Sequence, residues 1–208
     1  MEQTETGSET FELVGGNLSL DFANTVGSHN SDEPNEHLTG YPALVAWGRQ
    51  AGILSNRTAQ RLIQEAARRP KEAQGVLEGA LAFREAIYRI FTAVSEGDVP
   101  KANDLNTLND MLSSALGHSR VVHSEQGFAW DWARDEDTLD QMLWPIARAA
   151  VDLLTSAERI KVRECANDTC GWLFIDTSKN HSRRWCSMSD CGNRAKARRH
   201  YARLRASK

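Results

Sequence analysis

Four cysteines, the only four in the 208-residue chain, stand near its C-terminal end as two matched pairs: Cys165 and Cys170, then Cys186 and Cys191. Four residues separate the members of each pair, and fifteen separate the pairs. Thiolates are soft ligands and Zn2+ takes four of them in a tetrahedron. Two short Cys-turn-Cys units brought together by a hairpin supply that geometry without a large core. The spacing predicts a Zn2+ site with Cys165, Cys170, Cys186 and Cys191 as its ligands. Two disulfides are the rival use of the same residues, and they belong to oxidising compartments. A closed shell of four thiolates has no open coordination position, so the expected metal is structural, and no catalytic residue is assigned.

Charge is divided as sharply as the cysteines. From Arg159 to Lys208 there are 13 Lys/Arg against 4 Asp/Glu, a net +9, while the residues upstream carry −12. The overall −3 conceals two bodies of opposite sign. After Cys191 the chain runs Gly192-Asn193-Arg194-Ala195-Lys196-Ala197-Arg198-Arg199-His200-Tyr201-Ala202-Arg203-Leu204-Arg205, with no helix breaker from Arg194 onward. This predicts a helix whose N-terminus meets the metal, with Asn193 as its cap. At about 100° per residue, Ala197, Tyr201 and Leu204 form a narrow stripe able to pack on the zinc module, and Lys196, Arg199 and Arg203 point roughly opposite. Arg194, Arg198 and Arg205 fall beside the stripe, where structural pairs are expected. Arg183, Arg184 and Trp185 add cations and an aromatic ring at the second cysteine pair. Candidate nucleic-acid contacts are therefore Arg183, Arg184, Arg194, Lys196, Arg198, Arg199 and Arg203.

The elements that must carry these residues are mainly helical. A 40% hydrophobic chain of this length can bury a real core in its first 157 residues. Leu18 to Val26 is compatible with a first helix. Pro42 opens a second that stops at Gly52, a third runs from about Ser55 to before Pro70, and a long fourth from about Glu72 to Gly97. Leu105, Leu108, Met111, Leu112 and Ala115 recur at three and four in a fifth, ending at Gly117. Arg120 to His123 and Phe128 to Trp132 alternate about Gly127 as a β-hairpin with two tryptophans on one face. A helix from about Asp137 to Ser156, kinked at Pro145, completes the domain. In the tail, Ile160 to Arg163 and Trp172 to Asp176 read as short strands. The expected fold is thus mainly α: a helical N-terminal domain over 1–157, then a four-cysteine zinc finger over 158–208 with short strands and one basic helix. No run of 18 apolar residues suggests a membrane span, and the opening Met-Glu-Gln-Thr-Glu is no secretion signal. A reducing cytoplasm is the expected compartment.

Family resemblance enters with the motifs. Cys165-x4-Cys170, Leu173 to Ser178, Arg183-Arg184-Trp185-Cys186-Ser187-Met188 and Cys191-Gly192-Asn193-Arg194-Ala195-Lys196 closely resemble the CGNR zinc finger, whose name is spelled by residues 191 to 194. Upstream, Gly15-Gly16, Leu20-Asp21-Phe22-Ala23-Asn24-Thr25, Leu44 to Trp47, Leu105-Asn106 and Ala149 to Ser156 resemble the ABATE domain of bacterial stress-induced transcription regulators. The resemblance implies a Zn2+-bound tail that contacts DNA and a helical domain that senses a ligand or a stress. A single finger contacts few bases, so sequence-specific reading calls for a homodimer or a partner protein. A second reading makes the tail a protein-interaction or redox-responsive zinc module meeting an acidic partner, its own upstream domain included.

In the upstream domain, Asp21, Asn24 and Thr25 at i, i+3 and i+4 are a candidate ligand pocket with one anionic and two neutral polar groups. The structural alternative pairs Asp21 with a cation such as Arg84 and uses Asn24 or Thr25 to tie down a turn. His29 and His37, in a polar loop with Asp32 and Glu33, are either exposed or a second metal site.

Overall fold

A computed structural model describes residues 10–125, 127–133 and 138–206. The polar residues 1–9 and the expected helix start at Asp137 lie outside the described residues. Asn17 opens α1 (Leu18–Ala23), its Oδ1 accepting from the Ser19 amide at 2.9 Å. The expected helix through Val26 stops three residues earlier, because Thr25 Oγ1 donates to Phe22 O at 2.8 Å and the chain turns into β1 (Val26–Gly27). That strand pairs antiparallel with β2 (Asn35–Glu36).

Pro and Gly punctuate the next helices as the sequence suggests. α2 (Tyr41–Gln50) has Pro42 in its first turn, and Gly52 closes it at φ +77°. α3 (Asn56–Arg68) is capped by Ser55, whose Oγ accepts from Thr58 N at 3.0 Å. α4 (Pro70–Glu96) starts at Pro70, two residues ahead of expectation, and ends on Gly97 in the left-handed region at φ +83°. Its Phe83, Ile87, Ile90 and Phe91 are wholly buried and form the spine of the core. α5 (Ala102–Gly117) packs on α4. The expected hairpin follows as β3 (Ser119–Ser124) and β4 (Gly127–Trp132), with Val121 opposite Trp130 and His123 opposite Phe128.

α6 (Leu143–Thr155) begins later than expected, and this removes the predicted kink. Pro145 falls in its first turn, where a missing N–H costs no helical hydrogen bond. A 3-10 turn (Ala157–Lys161) then delivers the chain to β5 (Val162–Glu164), antiparallel to β6 (Leu173–Ile175). A π-helical turn (Met188–Gly192) leads into α7 (Asn193–Ala206).

The finger is sewn into the helical domain. Val162, Leu173 and Ile175 belong to the same hydrophobic core as Phe22, Phe83 and Ile87. β5 packs on α4, and β6 on α1 and α4. Polar contacts complete the seam: Ile175 N donates to Gly15 O at 2.9 Å, Trp172 Nε1 to Val26 O at 2.7 Å, and His29 N to Cys170 O at 3.0 Å. Among the described residues, no helix is long and apolar enough to cross a membrane.

Candidate metal centre

The first cysteine pair sits on a knuckle between β5 and β6. Cys165 N donates to Trp172 O at 2.8 Å and Cys170 N to Asn167 O at 2.9 Å, which turns the backbone so that both sulfurs face inward. The second pair flanks the π-helical turn, closed by Gly192 N to Ser187 O at 2.9 Å. All four cysteines are buried, and their sulfurs lie within 4.8 Å of one another. Cys170 Sγ and Cys186 Sγ are 3.7 Å apart. A Zn–S bond of about 2.3 Å gives a tetrahedron edge of about 3.8 Å, so the cage has the size zinc requires. No other such cluster of His, Cys, Asp and Glu occurs among the described residues. His29 instead meets Glu85 at 3.0 Å and packs on the Tyr88 ring.

The donor set also demands a cation. Cys165 is driven down to about 2 because Cys170 and Cys186 donate to it, and Cys170 is pushed up to about 12 by donating. Cys186 is raised further for the same reason. Cys165, Cys170 and Cys186 thus compete for their protons, and a dication among them offsets the repulsion between thiolates. Zn2+ fits these residues; bound, it would hold four thiolates in one tetrahedron and cross-link the two loops.

Around the cage stand donors that the cysteine spacing alone does not reveal. Asn167 is almost fully buried; its Nδ2 donates to Cys191 Sγ at 3.4 Å and its Oδ1 accepts from Arg198 Nη2 at 2.9 Å. Arg194 reaches Cys191 Sγ at 3.2 Å and Asp190 at 2.5 Å, the structural position expected beside the stripe. Asp176, also buried, accepts from the amides of Ser178 at 2.9 Å and Arg183 at 3.0 Å and so shapes the loop before the second pair. A polar Asn-Asp pair inside the Cys-x4-Cys knuckle is the only sequence signal for Asn167.

The candidate cations divide by location. Arg183 is turned inward: its guanidinium lies 4.2 Å over the Phe174 ring and donates to Trp185 O at 3.0 Å, so it braces the finger. Arg184 is exposed and lies over the Trp185 ring. Lys196, Arg199 and Arg203 are exposed along α7. Two expectations about this helix are corrected. Asn193 is its first helical residue, not its cap, at φ −70° and ψ −40°, because its Nδ2 is tied back to Ser189 O at 2.9 Å. The stripe of Ala197, Tyr201 and Leu204 does not pack on the zinc module: Tyr201 is 65% and Leu204 52% exposed. The finger's own apolar residues, Phe174, Trp172 and Trp185, already gather round the cysteines, so α7 finds no apolar surface beyond Ala195.

Asp21, Asn24 and Thr25 do line one cavity, of about 130 Å3, together with Phe11, His37 and Trp172. Two of the three are committed elsewhere. Asn24 Nδ2 donates to Leu173 O and its Oδ1 accepts from Leu173 N, both at 2.8 Å, so its amide acts as one more rung on β6. Thr25 ties down the end of α1. The expected Asp21–Arg84 pair is absent. Arg84 spends its guanidinium on Glu36, at 2.7 Å through both nitrogens, and on Glu85. Among the described residues, Asp21 accepts one hydrogen bond, from Gly15 N at 2.8 Å.

That solitary carboxyl gives a pH signature. Burial raises Asp21 from 3.8 to about 6, with the Gly15 amide opposing. Its folded pKa exceeds its unfolded one, so the unfolded state loses its proton first and stability falls as pH climbs from about 4 to about 6. A two-unit shift is about 3 kcal/mol at most, and partial solvent access reduces that to about 1–2 kcal/mol. Asn at this position keeps the acceptor for Gly15. Asp21→Asn is therefore expected to raise the melting temperature at pH 7.5 and leave it unchanged near pH 3.5. A lower melt at pH 7.5 would reveal a cationic partner for the carboxylate.

A helical domain with a four-cysteine site sewn to its face, sized for zinc, defines a zinc-finger protein. Residues 16–157 match the ABATE family, described as "Putative stress-induced transcription regulator", and residues 161–204 match the CGNR zinc finger. The first match alone covers more than half of the chain, which belongs to the ABATE family. No curated protein matches it.

Proposed function

We propose that the protein is a zinc-dependent, DNA-binding transcription regulator in which α7 meets the phosphate backbone and the helical domain is the sensing half. One observation carries the reading. α7 leaves the finger after its first turn and presents Arg194, Lys196, Arg198, Arg199, Arg203 and Arg205 with no acid on the helix. Its inner end is pinned to the cage through Arg194 and Arg198, so the outward cations are held on a rigid base while remaining exposed. Lys196, Arg199 and Arg203 share one face at helical spacing, suited to successive phosphates.

Duplex DNA of random sequence, titrated at several salt concentrations, tests this. Each phosphate neutralised contributes about 0.9 to the slope of log K against log salt. Reversing charge at Arg199 and Arg203 is expected to lower the slope by about 2 and weaken binding by more than about tenfold, with zinc content unchanged. Binding of equal affinity and slope in the double variant would remove the outward face of α7 from the contact surface.

Exposure of Tyr201 and Leu204 favours a second reading, an acidic protein partner or a second copy of the chain, because phosphate contact needs no apolar side chains. Under that reading Tyr201→Ser would abolish association with the partner and leave the DNA salt slope untouched.

A further inference from the structure

The cavity of about 130 Å3 between the N-terminal segment, α1 and the finger carries negative charge with no fixed cation beside it. Phe11, His37 and Trp172 give it aromatic walls and Asp21 and Glu12 give it carboxylates, while neither Lys nor Arg lines it. Asp21 is half-buried in the first turn of α1, and its Oδ1 accepts from Gly15 N at 2.8 Å. Its Oδ2 has no partner among the described residues and is not sealed from water, so a guest in the cavity that Asp21 lines has an acceptor within reach. Asn24 and Thr25 offer nothing further, their side chains being bonded to Leu173 and Phe22. His37 turns its Nε2 to Asn35 Nδ2 at 3.4 Å and makes no bond to Asp21. Burial without a counter-charge raises the Asp21 carboxyl to about 6, which leaves it largely ionised at pH 7.5.

We propose that this cavity binds a small organic cation, an ammonium with N–H donors on a short alkyl chain, its nitrogen on Asp21 Oδ2 and its carbons against Phe11 and Trp172. Size sets the upper limit: a cavity of about 150 Å3 accepts the six carbons of benzene, so this one accepts about five heavy atoms. Chemistry sets the rest. An anion would meet two carboxylates, and a neutral guest would leave the Asp21 charge without a partner. Ca2+ and Mg2+ are poor occupants, because each needs about six or more oxygen ligands in a shell that two carboxylates do not supply. The site touches both halves of the protein: Trp172 stands between Cys170 and β6, and its Nε1 holds Val26 O at 2.7 Å. The inference names a ligand class for the half read above as sensing and rests on that reading for its purpose; binding is measured without DNA, so either can fail alone.

Propylammonium is a suitable probe, with tetramethylammonium as a cation lacking N–H and 1-propanol as a donor lacking charge. Full-length zinc-loaded protein in phosphate buffer at pH 7.5 is titrated with each at constant ionic strength, following the Gly15 amide and Trp172 indole 1H–15N resonances. Saturable propylammonium binding with a Kd of about 1 mM or tighter is expected. Tetramethylammonium and 1-propanol should each bind about tenfold more weakly or worse. Asp21→Asn, which is expected to fold and to melt higher than the parent at this pH, should weaken propylammonium by more than about tenfold and leave 1-propanol unchanged. No saturation by about 20 mM, equal propylammonium affinity in Asp21→Asn, or the same resonance shifts with sodium chloride in place of the amine would each overturn the proposal.

Discussion

Cys186→Ser, or chelation of the parent protein, is expected to cost the protein both its zinc and a large part of the stability of its helical domain. Zinc should fall below half an equivalent in Cys186→Ser by elemental analysis, because three thiolates and a hydroxyl no longer match the soft tetrahedral site. From sequence alone, the finger has little core of its own, and chelation should unfold it while the upstream helices persist. The structure changes the second half of that expectation. Val162, Leu173 and Ile175 are buried in the helical domain's own core, so a finger that loses its cross-link withdraws three apolar side chains from beneath α1 and α4. Structural zinc sites contribute about 10–16 kcal/mol in isolated fingers, comparable with the whole stability of a domain at about 5–15 kcal/mol. Hydrogen exchange should therefore rise across residues 162–206 and also across residues 14–30, which line the seam, while α2 and α3 change least. Unchanged zinc in Cys186→Ser would dismiss the ligand assignment. Exchange confined to the tail would show that the shared core contributes little.

What the sequence made legible was local. Cysteine spacing located the cage because four soft ligands at short separations have few other uses, and Pro42, Pro70, Gly52 and Gly97 marked helix ends through constraints that act within one turn. The basic character of α7 was legible too, since charge needs no partner to be counted. Long-range partnership was not. Asn24, just past the end of α1, serves a strand 149 residues away, and nothing near Asn24 announces Leu173. Arg84 is a plausible partner for Asp21 by charge, yet Glu36 and Glu85 reach it first and in better geometry. The apolar stripe of α7 failed for a related reason: helical periodicity shows which residues share a face, not whether a surface is left to cover them. Pro145 misled through a boundary error of a few residues, enough to move it from a helix interior to a first turn.

Asn24 makes the strongest test of how the two parts hold together. Its side-chain amide both donates to and accepts from the backbone of Leu173, each bond at 2.8 Å and each buried. Ala at this position removes donor and acceptor together and leaves the Leu173 N–H and C=O without partners in the interior. An orphaned buried polar group costs about 1–3 kcal/mol, so the pair costs about 2–6 kcal/mol. For a chain of this size that lowers the melting temperature by about 5–20 °C. Asp is expected to be no rescue, since it keeps the acceptor but sets a carboxylate against the Leu173 carbonyl; Gln is too long to reproduce both bonds. The cage itself is untouched by Asn24→Ala, so zinc should stay at one equivalent while a chelator strips it faster from the loosened finger. A melt within about 1 °C of the parent would mean that water replaces both bonds, and that burial of Leu173 and Ile175 alone fixes the finger to the domain.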